Sequence, residues 1–157
     1  MTEQPRLDLD DYFPYLVNRV GFALVDRFQQ SLDLYGLSIA MWRVLASLSS
    51  RGEQRQVDIA KTTSIDVSTL SRLITRIVRM GLVTRSRSKS NQREVVVRLG
   101  AKGRSVVDRL IPIARRLEQD AIAGLAPRQL AATRDTLRRM YANLASTAEL
   151  SRKHERS

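Results

Sequence analysis

The chain has 157 residues, a formal net charge of +11, a hydrophobic fraction of 43%, no cysteine and one histidine, His154, near the C-terminus. This excludes a disulfide framework, thiolate metal ligation, a cysteine nucleophile, a His-based zinc site and Ser-His or Cys-His catalysis. With no apolar run near the roughly 18 residues of a membrane span and no signal-like leader, the sequence predicts a soluble cytoplasmic protein with no metal, cofactor or membrane partner.

The charge is unevenly placed. Residues 1–50 carry net −2, residues 51–104 net +9 and residues 105–157 net +4. A solvated helical face mixes signs, so a lopsided central block points to a polyanionic partner, nucleic acid first.

From Asp11 onward, Phe13, Leu16, Val17, Val20, Leu24 and Phe28 recur at three- and four-residue steps and predict an amphipathic helix over 11–33. Asp11 is its candidate cap, and Pro14 falls in the first turn, where a missing N–H costs little. After Gly36, Ser38 precedes Met41, Trp42, Leu45 and Leu48, a second helix that stops before Gly52. A short third helix covers 56–62 with Val57, Ile59 and Ala60. Asp66 can cap a fourth, whose Leu70, Leu73, Ile74 and Ile77 form one apolar stripe ending at Gly81.

Beyond Gly81 the period becomes two. Residues 82–86 and 95–99 read as short strands, and the polar loop 87–94 between them as a projecting hairpin tip. Helical spacing resumes at Lys102 and runs to Gly124, with Pro112 predicting a kink. A last helix starts at Pro127 and carries Leu130, Leu137, Met140, Tyr141 and Leu144, leaving a charged, frayed tail.

The third and fourth helices, joined through Thr63-Ser64-Ile65, have the linkage of a helix-turn-helix. Ala60 is small enough for the crossing point, and Ile59, Ile65, Leu70 and Leu73 can fill the wedge. The fourth helix is then the recognition element, with Val67, Ser68, Ser71, Arg72, Thr75, Arg76 and Arg79 outward. Ser68, Ser71 and Arg72 are candidates for base contacts, Arg72 being long enough to reach O6 and N7 of guanine. Thr69, Thr75 and Arg76 suit phosphates. Arg87, Lys89, Gln92 and Arg93 of the hairpin tip suit an adjacent minor groove. A solvated polar face would use many of the same residues, and Arg79, Lys89 and Arg98 singly fit that plainer role.

These residues resemble the MarR family of winged helix-turn-helix transcriptional regulators. The family's recognition segment appears as Ser68-Thr69-Leu70-Ser71-Arg72-Leu73-Ile74 followed by Gly81-Leu82-Val83-Thr84-Arg85, its wing motif as Asn91-Gln92-Arg93, and its Leu-Thr-x-x-Gly as Leu99-Gly100-Ala101-Lys102-Gly103. Asn91 stands where the family has an aspartate that pairs with the wing arginine, which leaves Arg93 less firmly held although Glu94 is adjacent. Gly100 stands where the family has a capping threonine.

The resemblance implies a mainly α fold with a small β-hairpin wing and N- and C-terminal dimerisation helices. Its expected organisation is a dimerisation helix over 1–36, a DNA-binding lobe over 37–100, and a linker with dimerisation helices over 101–157, forming one intertwined domain. It implies a homodimer reading an inverted repeat in double-stranded DNA, as repressor first with activator left open, and either release by a small aromatic or phenolic effector or no effector at all. Tyr12, Tyr15 and Trp42 are candidate lining for the effector pocket, though aromatics at helical spacing serve a plain core as well. The residues alone leave open a basic module that binds nucleic acid or RNA without reading sequence. An enzyme is disfavoured: the chain has no Gly-rich phosphate loop, metal-ligand cluster or nucleophile paired with a base.

Overall fold

Ser38 and Asp66 stand at the starts of the second and fourth helices, Gly52 ends the second, and Gly81 follows the end of the fourth. The computed structural model describes residues 6–88, 91 and 94–154, the last eight by backbone alone. Its elements are α1 (Phe13–Asp33), α2 (Ile39–Arg51), β1 (Gln54–Arg55), α3 (Gln56–Thr63), α4 (Val67–Arg79), β2 (Val83–Arg87), β3 (Val95–Leu99), α5 (Ala101–Ala121) and α6 (Pro127–His154). The chain divides into two units, Met1–Leu117 and Glu118–Ser157.

Ser38 caps α2 by accepting from the Met41 N–H, and Asp66 caps α4 by accepting from the Thr69 N–H at 2.8 Å. The expected cap of α1 is not there. Tyr12 holds the N-cap position without a side-chain hydrogen bond, and Pro14 near the start removes one N–H that a cap would otherwise satisfy. Pro112 lies inside α5, which continues across it.

The sheet has three strands rather than the two the alternation suggested. Order is β1-β3-β2, all antiparallel, with Val83 opposite Leu99 and Arg87 opposite Val95 in the hairpin. The added strand, Gln54–Arg55, pairs with Val97 and Val96; two polar residues carry no alternation to detect. β2 begins at Val83 because Leu82 belongs to the turn that closes α4, where its N–H donates to the Ile77 carbonyl at 3.0 Å. That turn needs Gly81, whose φ is +73°. α6 reaches His154, past the expected onset of fraying.

The first unit holds one continuous core. Phe28 and Leu32 of α1, Met41, Val44, Leu45 and Leu48 of α2, Ile59 and Ala60 of α3, Leu70, Ile74 and Ile77 of α4, Val97 and Leu99 of β3, and Val107 and Leu110 of α5 are all buried. α2 and α4 contribute the stripes their spacing foretold, whereas of the stripe foretold for α1 only Phe28 is buried. Gly103 lets α5 approach the chain after α4 very closely: a Cβ there would lie 1.9 Å from the Leu82 carbonyl oxygen. The same oxygen accepts from the Gly100 N–H at 2.9 Å. The glycine of the Leu-x-x-x-Gly segment is thus a packing requirement.

Two stretches leave apolar side chains uncovered. On α1 these are Phe13, Leu16, Val17, Val20 and Phe22, the last 72% exposed. The second unit has no buried residue among its described side chains, and on α6 Leu137, Tyr141 and Leu144 are exposed. Among the described residues no helix is long and apolar enough to cross a membrane.

Candidate nucleic-acid interface

The α3–α4 corner is built by local chemistry. The Thr63 hydroxyl, buried, donates to the Ile59 carbonyl at 2.7 Å, and Ser64 turns the chain through the left-handed region at φ +55°. Ile65 N–H then donates back to the Ala60 carbonyl at 3.2 Å, closing a helix C-terminus of Schellman type. Ile59, Ala60 and Leu70 fill the wedge, with Ile65 and Leu73 packed at its margin.

Asp66 organises the tip of α4. Its Oδ1 accepts from the Ser68 hydroxyl at 2.6 Å as well as from the Thr69 N–H. The Ser68 hydroxyl first, and Thr69 next, hold this carboxyl well below the usual carboxylate range. Ser68 and Thr69 are exposed, as expected of an outward face. Ser71 and Thr75 are only half-exposed, and the Thr75 hydroxyl donates to the Ser71 carbonyl at 3.0 Å. Arg72, Arg76 and Arg79 are exposed, and no carboxylate among the described residues pairs with them.

Other cations of the basic block have structural partners. Arg98 donates to the Thr84 hydroxyl across the hairpin at 3.0 Å, and Lys102 donates to the Met80 carbonyl at the end of α4, also at 3.0 Å. Arg55 was not singled out by sequence. It donates from Nε to Asp58 at 2.6 Å and from Nη1 to Glu94 at 3.1 Å, joining α3 to the base of the hairpin. Hydrogen bonds to Asp58, then to Glu94, push its pKa up, and Arg55 in turn lowers that of Asp58. The Arg55/Asp58 spacing of three was the available signal; the link to Glu94 spans 39 positions and left none. The Glu94 carboxylate is therefore engaged by Arg55, and the Glu94 N–H donates to the Asn91 carbonyl at 2.9 Å. Arg87 lies exposed at the end of β2, while Lys89, Gln92 and Arg93 fall outside the described residues.

Of the three effector candidates, Trp42 alone lines the groove beside Arg43 and Arg51. Trp42 packs edge-on against Phe28, centroids 5.2 Å apart, and lines an open groove of about 580 Å³ with Arg43, Ser47, Arg51 and Thr62. Tyr12 and Tyr15 are not part of that groove; the Tyr15 ring carries the Arg19 guanidinium at 5.7 Å.

Residues 37–95 match the sequence model of the MarR family. A MarR-family transcriptional regulator from Silicibacter pomeroyi, solved by crystallography, is 32% identical, with a TM-score of 0.79 over 88% of this chain and 96% of its own. The chain belongs to the MarR family. This MarR-family regulator is also similar to the HTH-type transcriptional repressor NicR of Pseudomonas putida, 25% identical over 138 residues that make up 83% of this chain and 87% of the repressor. Its fold is likewise similar to that of BpsR from Bordetella bronchiseptica, whose DNA binding is regulated by 6-hydroxynicotinic acid, at 29% identity and a TM-score of 0.77 over 87% of this chain and 98% of the other. The winged helix-turn-helix of the family is the α3–α4 corner and the β2–β3 hairpin described above.

Proposed function

We propose that this MarR-family chain is a sequence-specific double-stranded DNA-binding repressor that acts in the cytoplasm as a homodimer on an inverted-repeat operator. The observation that carries this is α4: three exposed guanidiniums without carboxylate partners among the described residues, on a helix whose hydroxyl-bearing tip is bonded to Asp66. Arg72 takes the guanine-reading role, and Arg76 the nearest phosphate. The Ser68 proton is committed to Asp66, so Ser68 offers a base its lone pairs and suits an amino group of adenine or cytosine. Thr75 contacts a phosphate only by giving up its bond to Ser71. Arg87, Lys89, Gln92 and Arg93 of the wing complete the footprint in the minor groove, and Thr69 holds register beside Arg76.

The uncovered apolar side chains of α1 and α6 support pairing with a second copy, since exposed apolar stripes of this length mark association surfaces. Two recognition helices about 34 Å apart then face successive major grooves. Release by a small planar organic acid is supported by the Trp42 groove, which sets an indole beside the guanidiniums of Arg43 and Arg51. BpsR, regulated by such an acid, adds support.

Mobility shifts on inverted-repeat and random duplexes across a salt series test the reading. A large specificity ratio is expected, and a ratio near one would leave a charge-driven, sequence-blind binder. Trp42 is the single tryptophan, so intrinsic fluorescence reports occupancy of its groove directly when 6-hydroxynicotinate or benzoate is titrated in. Unchanged emission and unchanged DNA binding would sink the effector arm.

A further inference from the structure

The tip of α4 carries an apolar island that the polar account of the interface leaves unused. Val67, the first residue of α4, is 52% exposed, and Val57 in the first turn of α3 is 47% exposed. Together with Val95 of β3 they wall a recess of about 280 Å³ whose rim is Arg55, Gln56 and Glu94. Isolated exposed valines need no explanation; two from separate helices converging on one recess, at the tip of a recognition helix, do.

The charges around this recess say what fits it. Arg55, the one cation lining the recess among the described residues, is already bonded to Asp58 and Glu94. Asp66, immediately before Val67, is an ionised carboxylate. A phosphate brought here meets the Glu94 carboxylate and a guanidinium already shared between two carboxylates, with Asp66 one residue from the Val67 wall, which disfavours it. An uncharged apolar group meets valine methyls. The apolar group that DNA displays on its major-groove edge is the thymine C5 methyl.

We propose that Val67, with Val57 as the opposite wall, reads a thymine methyl and makes one thymine in each half of the operator a specificity position. This rests on the DNA-binding reading above and adds to it a base that no hydrogen-bonding side chain reports.

Operator duplexes selected by the full-length protein from a random pool are resynthesised with each thymine replaced singly by deoxyuridine, which removes the methyl and nothing else. One thymine per half is expected to weaken binding about fourfold on losing its methyl, the worth of one methyl moved from an apolar contact into water. Val67→Ala, which removes the contact in both halves, should bind the parent operator about sixteenfold more weakly, as uracil at both positions does for the parent, and show no further loss with uracil at either. Val67 is a half-exposed first-turn residue, so an unchanged melting temperature is expected of the variant. If no thymine responds to demethylation, or if Val67→Ala responds as strongly as the parent, the contact is wrong while the DNA-binding reading stands. If Val67→Ala changes the sedimentation coefficient and uracil is neutral everywhere, the recess is filled by a second copy and the proposal falls. If the pool yields no preferred sequence, the DNA-binding reading falls and takes the proposal with it.

Discussion

Leu70 on α4 and Leu144 on α6 are the same residue type on regular helices, yet the first is completely buried and the second 70% exposed. Their helices differ in what the rest of the chain supplies. α4 finds α2, α3 and β2 close at hand and buries three side chains within 13 residues. The 28-residue α6 buries none among its described side chains. An apolar stripe commits a helix to being covered without saying by what. In the winged lobe the cover is the chain itself, and on α6 it is the second copy proposed above.

The sharpest way to break this contrast is to charge the α6 stripe. Tyr141→Glu with Leu144→Glu should weaken self-association by about 3–6 kcal/mol, the transfer value of two large apolar side chains, with helical circular dichroism retained. Sedimentation equilibrium checks it, and an unchanged oligomer would mean that the stripe faces something else. Within the lobe, Ile74→Ala should lower unfolding stability by about 2–5 kcal/mol, read from urea midpoints, because Ile74 is wholly enclosed. Arg72→Ala should reduce operator affinity by about 1–3 kcal/mol and relax base preference without moving the urea midpoint, as mobility shifts on cognate and point-substituted duplexes would report.

The smallest effect is a pH dependence. The Asp66 carboxyl is depressed in the folded state from its ordinary 3.8, so its capping contribution is full above that value and is lost as pH falls toward the folded one. Stability should therefore be flat in this contribution from neutral pH to about pH 5 and decline below it. Asp66→Asn should flatten the acid limb, as urea midpoints at pH 3 and pH 6 would show.

The lobe was far more legible in sequence than the molecule's link points. Periodicity places α2, α3 and α4 nearly to the residue because each stripe is satisfied locally, and Ser38 and Asp66 announce helix starts by the chemistry they perform there. The strand β1 went unseen because backbone pairing of Gln54 and Arg55 with Val97 and Val96 needs no side-chain signature. Arg55 was invisible as a tie because its second carboxylate lies far along the chain. Among the recognition residues, outward direction was legible for Ser68, Arg72 and Arg76. The internal bond of Thr75 to Ser71 was not, since helical position says where a hydroxyl points but not which acceptor has claimed its proton. The aromatic candidates parted for a similar reason: Trp42 found Phe28 and a groove, while Tyr12 remained on an open surface.

The contact at Gly103 makes a joint without slack. With no Cβ between them, the first turn of α5 rests on the Leu82 backbone, the Gly100 N–H holds the same carbonyl, and Lys102 grips the last turn of α4 through Met80. Close-packed interiors deform little, so the first turns of α5, the end of α4 and the start of β2 are held as one unit. Among the chain's glycines, this is where an added Cβ would meet the backbone most closely and force the two segments apart.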